Sequence, residues 1–169
     1  MKKIIAFFCI LLVGIACTND DFADAIDQDF LANAEDQRSV IAGLIINKEV
    51  FDNLELNRRN GLSKGGKFEF KSVKRSNNIL EVELTFSGGC EIHTIDVVWD
   101  GVIFTDSPCS INLMIIHNDN NDKCEAHITK TFFINIKELI GDIEYKDICE
   151  YHLYSTFNIG DEPDIKTTN

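Results

Sequence analysis

Residues 80–86 read Leu-Glu-Val-Glu-Leu-Thr-Phe, an unbroken alternation of apolar and polar side chains. A pleated strand sends successive side chains to opposite faces, so this run buries Leu80, Val82, Leu84 and Phe86 together only as a strand with one wet face. Phe68 and Phe70 mark a partner strand, and Ser76-Asn77-Asn78 is the turn between them. A three-residue loop sets Phe70 opposite Leu84 and Phe68 opposite Phe86. A two-residue loop would slip the pairing by one and turn the phenylalanines to the other face. Further strands are predicted at 91–99, 111–117, 124–134 and 148–157, with a short helical turn at 135–140. Several short strands broken by turns, with little helix, predict an all-β domain: an antiparallel β-sandwich, Ig-like or an open barrel.

The chain begins with Lys2 and Lys3, followed by an apolar run from Ile4 to Ala16, then Cys17, Thr18, Asn19, Asp20 and Asp21. Thirteen apolar residues are too few to cross a bilayer as a helix, which needs about 20. Charged start, short apolar stretch and small residue at its end form the layout of a secretory signal. With a cysteine at the cut, the segment resembles a bacterial lipoprotein signal, in which that cysteine is lipidated and becomes the new N-terminus. Gly14, Ile15 and Ala16 occupy the three places before Cys17, and only Ala16 is the usual choice. Ordinary cleavage near Ala16 without a lipid is the alternative. The run from Thr18 to Phe22, with Asp20 and Asp21, resembles the acidic export tag of surface-exposed lipoproteins in Bacteroidota-type bacteria. The resemblance implies a protein anchored in the outer membrane by lipid and displayed at the surface.

This organisation gives a signal peptide at 1–16, a flexible acidic tether at 17–39, an ordered segment or linker at 40–66, a β domain at 67–160 and a tail at 161–169. Within 40–56 the pattern fits a helix face (Val40, Leu44, Phe51) or a buried strand (40–46) equally well. Removing residues 1–16 leaves 153 residues and takes the net charge from −12 to −14. Such a surface repels phosphate backbones and anionic headgroups, so nucleic acid is not an expected partner.

Four cysteines follow Cys17: Cys90, Cys109, Cys124 and Cys149. In an exported domain an even number reads as disulfides, and spacing alone leaves all three pairings open. His93 and His117 lie on the apolar faces of the strands at 91–99 and 111–117. Pairing those strands antiparallel with His93 opposite His117 also sets Trp99 opposite Ile111. Cys90 and Cys124 would then converge on the same end of the sheet. Three readings compete there. One is a Cys90–Cys124 disulfide beside two hydrogen-bonded histidines. The second is a mixed Cys₂His₂ zinc site. The third is a site using the histidines alone, with an acid from Asp119 or Asp122. The run 117–122 is rich in side-chain oxygens but lacks the glycine and glutamate of an EF-hand, and a hairpin turn selects the same residues. No nucleophile elbow, phosphate-binding glycine loop or zinc-protease helix is present, so neither an enzyme activity nor a cofactor is expected.

The order Gly88-Gly89-Cys90, His93, Trp99, His117 and Asp122-Lys123-Cys124-Glu125-Ala126 resembles a group of uncharacterised Bacteroidota surface lipoproteins, over residues 67–140. The resemblance implies that Cys90 and Cys124 belong together, leaving Cys109 and Cys149 as a second pair. The expected role is a surface binding or interaction module for an extracellular protein or glycan. The alternative is an extracytoplasmic metal-binding protein using His93 and His117, with or without Cys90 and Cys124.

Overall fold

The computed structural model describes residues 40–142 and 147–167. The signal peptide, Cys17, Asp20, Asp21 and the tether lie outside the described residues. The described residues are mostly β and form two sheets. The first has four strands in the order β1 (Val40–Ile41), β7 (Ala126–Asn135), β4 (Ile79–Gly88) and β3 (Glu69–Ser76). The second has five, in the order β2 (Gly43–Ile46), β5 (Thr94–Trp99), β6 (Ser110–Asn118), β8 (Glu150–Ser155) and β9 (Ile165–Lys166).

One apolar cluster is shared by both sheets. Leu80, Val82, Leu84 and Phe86 of β4 join Phe132 and Ile134 of β7, and the second sheet contributes Ile95, Val97, Ile111, Leu113, Ile115 and Leu153. The other face of the second sheet is also covered. Helix α1 (Lys48–Arg59) sets Phe51 and Leu54 against Val98, Met114, Ile116 and Tyr154. Burial on both faces explains why β6 reads as a nearly continuous apolar run rather than an alternating one.

Residues 40–66 do not stand apart from the β domain that was expected to begin at 67. Neither reading of 40–56 holds as expected: Val40 and Leu44 lie in strands, not on a helix face with Phe51, and 40–46 is two short strands in different sheets, not one buried strand. Val40 to Ile46 supplies two strands, and Asn47 then caps α1, its side-chain oxygen accepting the Val50 N–H at 3.1 Å. β1 pairs with β7 and β2 pairs with β5, so this stretch adds a strand to each sheet. The C-terminal stretch likewise contributes β9, which pairs with β8.

The expectation of a mainly antiparallel domain is corrected in part. β1–β7, β2–β5 and β6–β8 are parallel, and both sheets are mixed. After β6 the chain leaves the second sheet, forms β7 in the first and α2 (Ile136–Ile140), and returns as β8 beside β6. Side-chain alternation has the same period in parallel and antiparallel strands, so it carries no information on direction.

The hairpin also differs from expectation in an instructive way. Its turn has two residues, Asn77 and Asn78, between paired Ser76 and Ile79, and Asn77 takes a positive φ of 52°. Phe70 nevertheless faces Leu84, because the register shifts between Phe70 and Ser72. That bulge adds the residue that the tight turn omits, and returns the first part of β3 to the predicted face. Asparagine tolerates the left-handed conformation better than most residues, which favours the tight turn.

The β5–β6 pair is antiparallel as expected, with a register two residues further along. Ile95, not His93, lies opposite His117, and Trp99 lies opposite Leu113. A shift of two conserves the face, so both histidines still point into the space between the sheets.

Candidate functional site

At the end of β6, three loops meet around two buried imidazoles. His117, on β6, has no exposed surface and His93, just before β5, has 5%. His93 Nδ1 lies 2.8 Å from His117 Nε2. His93 Nε2 lies 3.0 Å from Asp122 Oδ2, and His117 Nδ1 lies 3.2 Å from the Gly66 carbonyl oxygen. The result is a continuous chain: carboxylate, imidazole, imidazole, carbonyl. Phe86 covers both rings, its centroid 4.8 Å from His93 and 4.4 Å from His117, and Phe68 meets His117 edge-on.

Asp122 organises the neighbouring backbone. Its Oδ2 accepts the N–H groups of Gly89, Cys90 and Glu91 at 2.7, 2.9 and 3.0 Å, and its Oδ1 accepts that of Cys124 at 2.8 Å. These backbone donors, first Cys124 and then Glu91 and Cys90, hold its carboxyl well below the usual aspartate range, with His93 adding to the effect. Only 1% of this side chain is exposed. Burial, followed by the charge of His93, pushes the His117 imidazole below its ordinary value.

Glycines make the close approaches feasible. A Cβ on Gly88 would lie 2.5 Å from His93 Cε1. Gly65 has a φ of 87°, and a Cβ there would sit 2.3 Å from the His117 carbonyl oxygen. Gly66 N–H donates to that same oxygen at 2.7 Å. Gly65 and Gly66 fall in the stretch 40–66 that the sequence reads as an ordered segment or linker; in the structure they cap the second histidine.

Cys90 and Cys124 form a disulfide beside this chain, with Cα atoms 5.9 Å apart, and Cys109 and Cys149 form a second, at 4.5 Å. Both pairings are those the family resemblance implies. The residues of the suggested Cys₂His₂ set therefore gather at one end of the sheets, but the donor atoms engage one another. The two sulfurs are bonded together, and each of the four ring nitrogens faces a hydrogen-bond partner. The Asp122 carboxylate lies within 4.8 Å of both sulfurs. The first reading of the constellation, a disulfide beside hydrogen-bonded histidines, describes this arrangement.

Asp122 was legible only as a spare acid. The better signal is its place two residues before Cys124, where an aspartate closes a turn on its own backbone. Asp119 does not join the chain of contacts, though its charge acts on His117.

A second feature lies along the connection from β5 to β6. A groove of about 500 Å³ is bordered by Ile103, Pro108 and Ile148, with Asp106 and Ser107 on its polar side. Phe104, next to it, is 41% exposed, and Ile148 is 62% exposed. The Cys109–Cys149 disulfide joins its two walls, and paired backbone bonds between Phe104 and Ser110, both 2.9 Å, close its loop. The Ser107–Pro108 peptide in this loop is cis.

No family model matches the chain, and no curated protein matches it. Seven solved chains match in structure. A NigD-like immunity protein from Bacteroides caccae shares 14% identity at a TM-score of 0.47, covering 69% of this chain and 52% of its own. A protein of unknown function from Bacteroides vulgatus shares 10% at 0.47, covering 71% and 53%. A putative toxin-related protein from Parabacteroides distasonis shares 14% at 0.40, covering 67% and 55%. The chain spans about half the length of these structures.

Proposed function

We propose that this chain is a lipid-anchored protein of a bacterial cell envelope, held by Cys17, whose β-sandwich domain acts as a binding module at the surface. The observation that carries the reading is the closure of two disulfides, Cys90–Cys124 and Cys109–Cys149. They use all four cysteines that follow Cys17, and structural disulfides persist in oxidising compartments. The lipoprotein-like leader and the acidic residues Asp20 and Asp21 support the same location. Labelled palmitate enters the wild-type protein in its native host and not a Cys17→Ala variant; equal labelling of both removes the anchor.

The groove at Ile103, Pro108 and Ile148 supports the binding role. Contiguous exposed apolar surface rimmed by polar groups marks contact sites more often than isolated apolar residues do. Its apolar walls favour a segment of an extracellular protein over a glycan. An apolar fluorescent dye reports such a surface directly: wild type enhances its emission, and Ile148→Asp loses most of that enhancement. Equal enhancement by the two proteins would take the groove out of the reading.

A further inference from the structure

The chain Asp122, His93, His117, Gly66 contains three contacts and four ring nitrogens. Each contact is a hydrogen bond only when one hydrogen lies in it. The Asp122 carboxylate already accepts four backbone N–H groups and meets His93 as an acceptor, so His93 Nε2 must donate. The Gly66 carbonyl is also an acceptor, so His117 Nδ1 must donate. The central 2.8 Å contact requires one more hydrogen between the rings. Two neutral imidazoles carry only two hydrogens and leave one contact with lone pairs facing each other. Two imidazolium rings carry four and force two hydrogens into the central contact.

We infer that the two buried rings together hold three hydrogens, so that the His93–His117 pair is a single shared cation and the chain is a proton-dependent latch between three loops. His93 carries hydrogens on both nitrogens, and His117 carries one, on Nδ1. The positive charge sits between the Asp122 carboxylate and the face of Phe86, an aromatic surface that attracts cations. Loops 65–66, 89–93 and 119–124 are joined through it.

Asp122 faces His93, Asp119 acts on His117 through its charge, and Lys130 borders the small cavity beside His93 along with Phe86 and Ile95. The burial that keeps His117 from charging is the physical reason the pair stops at three hydrogens.

The sign of the acid response follows. Unfolded His117 takes up a proton as pH falls through about 6.5. The folded ring resists that proton, so the unfolded chain binds more protons and stability falls with pH below that value. While the native pair keeps its three hydrogens, this ring lowers the folding equilibrium constant by up to about tenfold per pH unit.

Nitrogen-15 NMR of the intact folded protein, labelled at histidine, tests the count at neutral pH. His127→Gln and His152→Gln variants assign the signals from the two histidines outside the chain. The expected result is three protonated nitrogens among the four, with His117 Nε2 bare. Two or four protonated nitrogens would overturn the proposal. Unfolding measured against pH gives an independent reading: His117→Gln flattens the fall in stability below pH 6.5, and an unchanged fall would assign it to another group and overturn the latch.

Discussion

Replacing Cys109 and Cys149 together by alanine lowers the free energy of unfolding by about 4 kcal/mol, the loss expected when a cross-link closing a loop of some 40 residues is removed from the unfolded chain. The bridge spans 40 residues in sequence and joins the entrances of two parallel neighbours, β6 and β8. Glu150 N–H donates to the Cys109 carbonyl at 2.8 Å beside it. Between the two cysteines the chain builds β6, crosses to the other sheet as β7, turns through α2 and comes back. Parallel neighbours separated by so long a connection are entropically costly to bring together, and the cross-link removes much of that cost in advance. Cys149 is fully buried and Cys109 nearly so, so the substitution also costs packing. Urea denaturation of wild type and the double variant under non-reducing conditions measures the difference. A loss below about 1 kcal/mol would show that the unfolded chain retains the pairing without the bond.

Arg58→Ala is expected to cost about 3 kcal/mol, from the loss of charged hydrogen bonds made by a buried guanidinium. Its side chain is 1% exposed although it lies on the last turn of α1. Nη1 donates to the carbonyls of Asn158 and Gly160 at 2.7 and 2.6 Å, and Nε and Nη2 donate to the two oxygens of Glu55. Its Cζ lies 5.0 Å from the centre of the Tyr154 ring. Burial pushes the Glu55 carboxyl up, but the bonds from Arg58 and Arg59 outweigh it and hold the group below its usual range. Arg58→Lys should recover little, because an ammonium group cannot reproduce a planar fork with four simultaneous bonds. Thermal unfolding of the three proteins checks the order. Hydrogen exchange should also quicken around 155–160, since Arg58 ties that stretch to the helix. If the lysine variant matched wild type, the charge rather than the fork would be what matters.

Much of the framework is legible in the sequence. The alternation at 80–86 predicts β4 and its buried face, and the apolar runs around Val97, Leu113, Phe132 and Leu153 each became a strand. Strand direction was not legible, because β8 reads the same whether it lies parallel or antiparallel to β6. The bulge after Phe70 also escaped, since nothing in Lys71 distinguishes an extra residue from a paired one. In the site, His93 and His117 were identifiable as inward-facing on strand parity, and that survived a register shift of two. The rest depends on distant partners. Gly66 reaches His117 from 51 residues away, and Arg58 reaches the Gly160 carbonyl from 102. Local pattern carries no trace of such pairings.

The passage from β1 to β2 has a mechanical consequence. Val40 and Ile41 belong to one sheet, Gly43 to Ile46 belong to the other, and the buried Ala42 is all that separates them. A pull on the chain ahead of Val40, directed along these strands, is resisted in shear by the β1–β7 pairing and then, one residue later, by β2–β5. The bonds of each pairing share the tension instead of opening one at a time, so the point where force enters the domain is riveted to both layers.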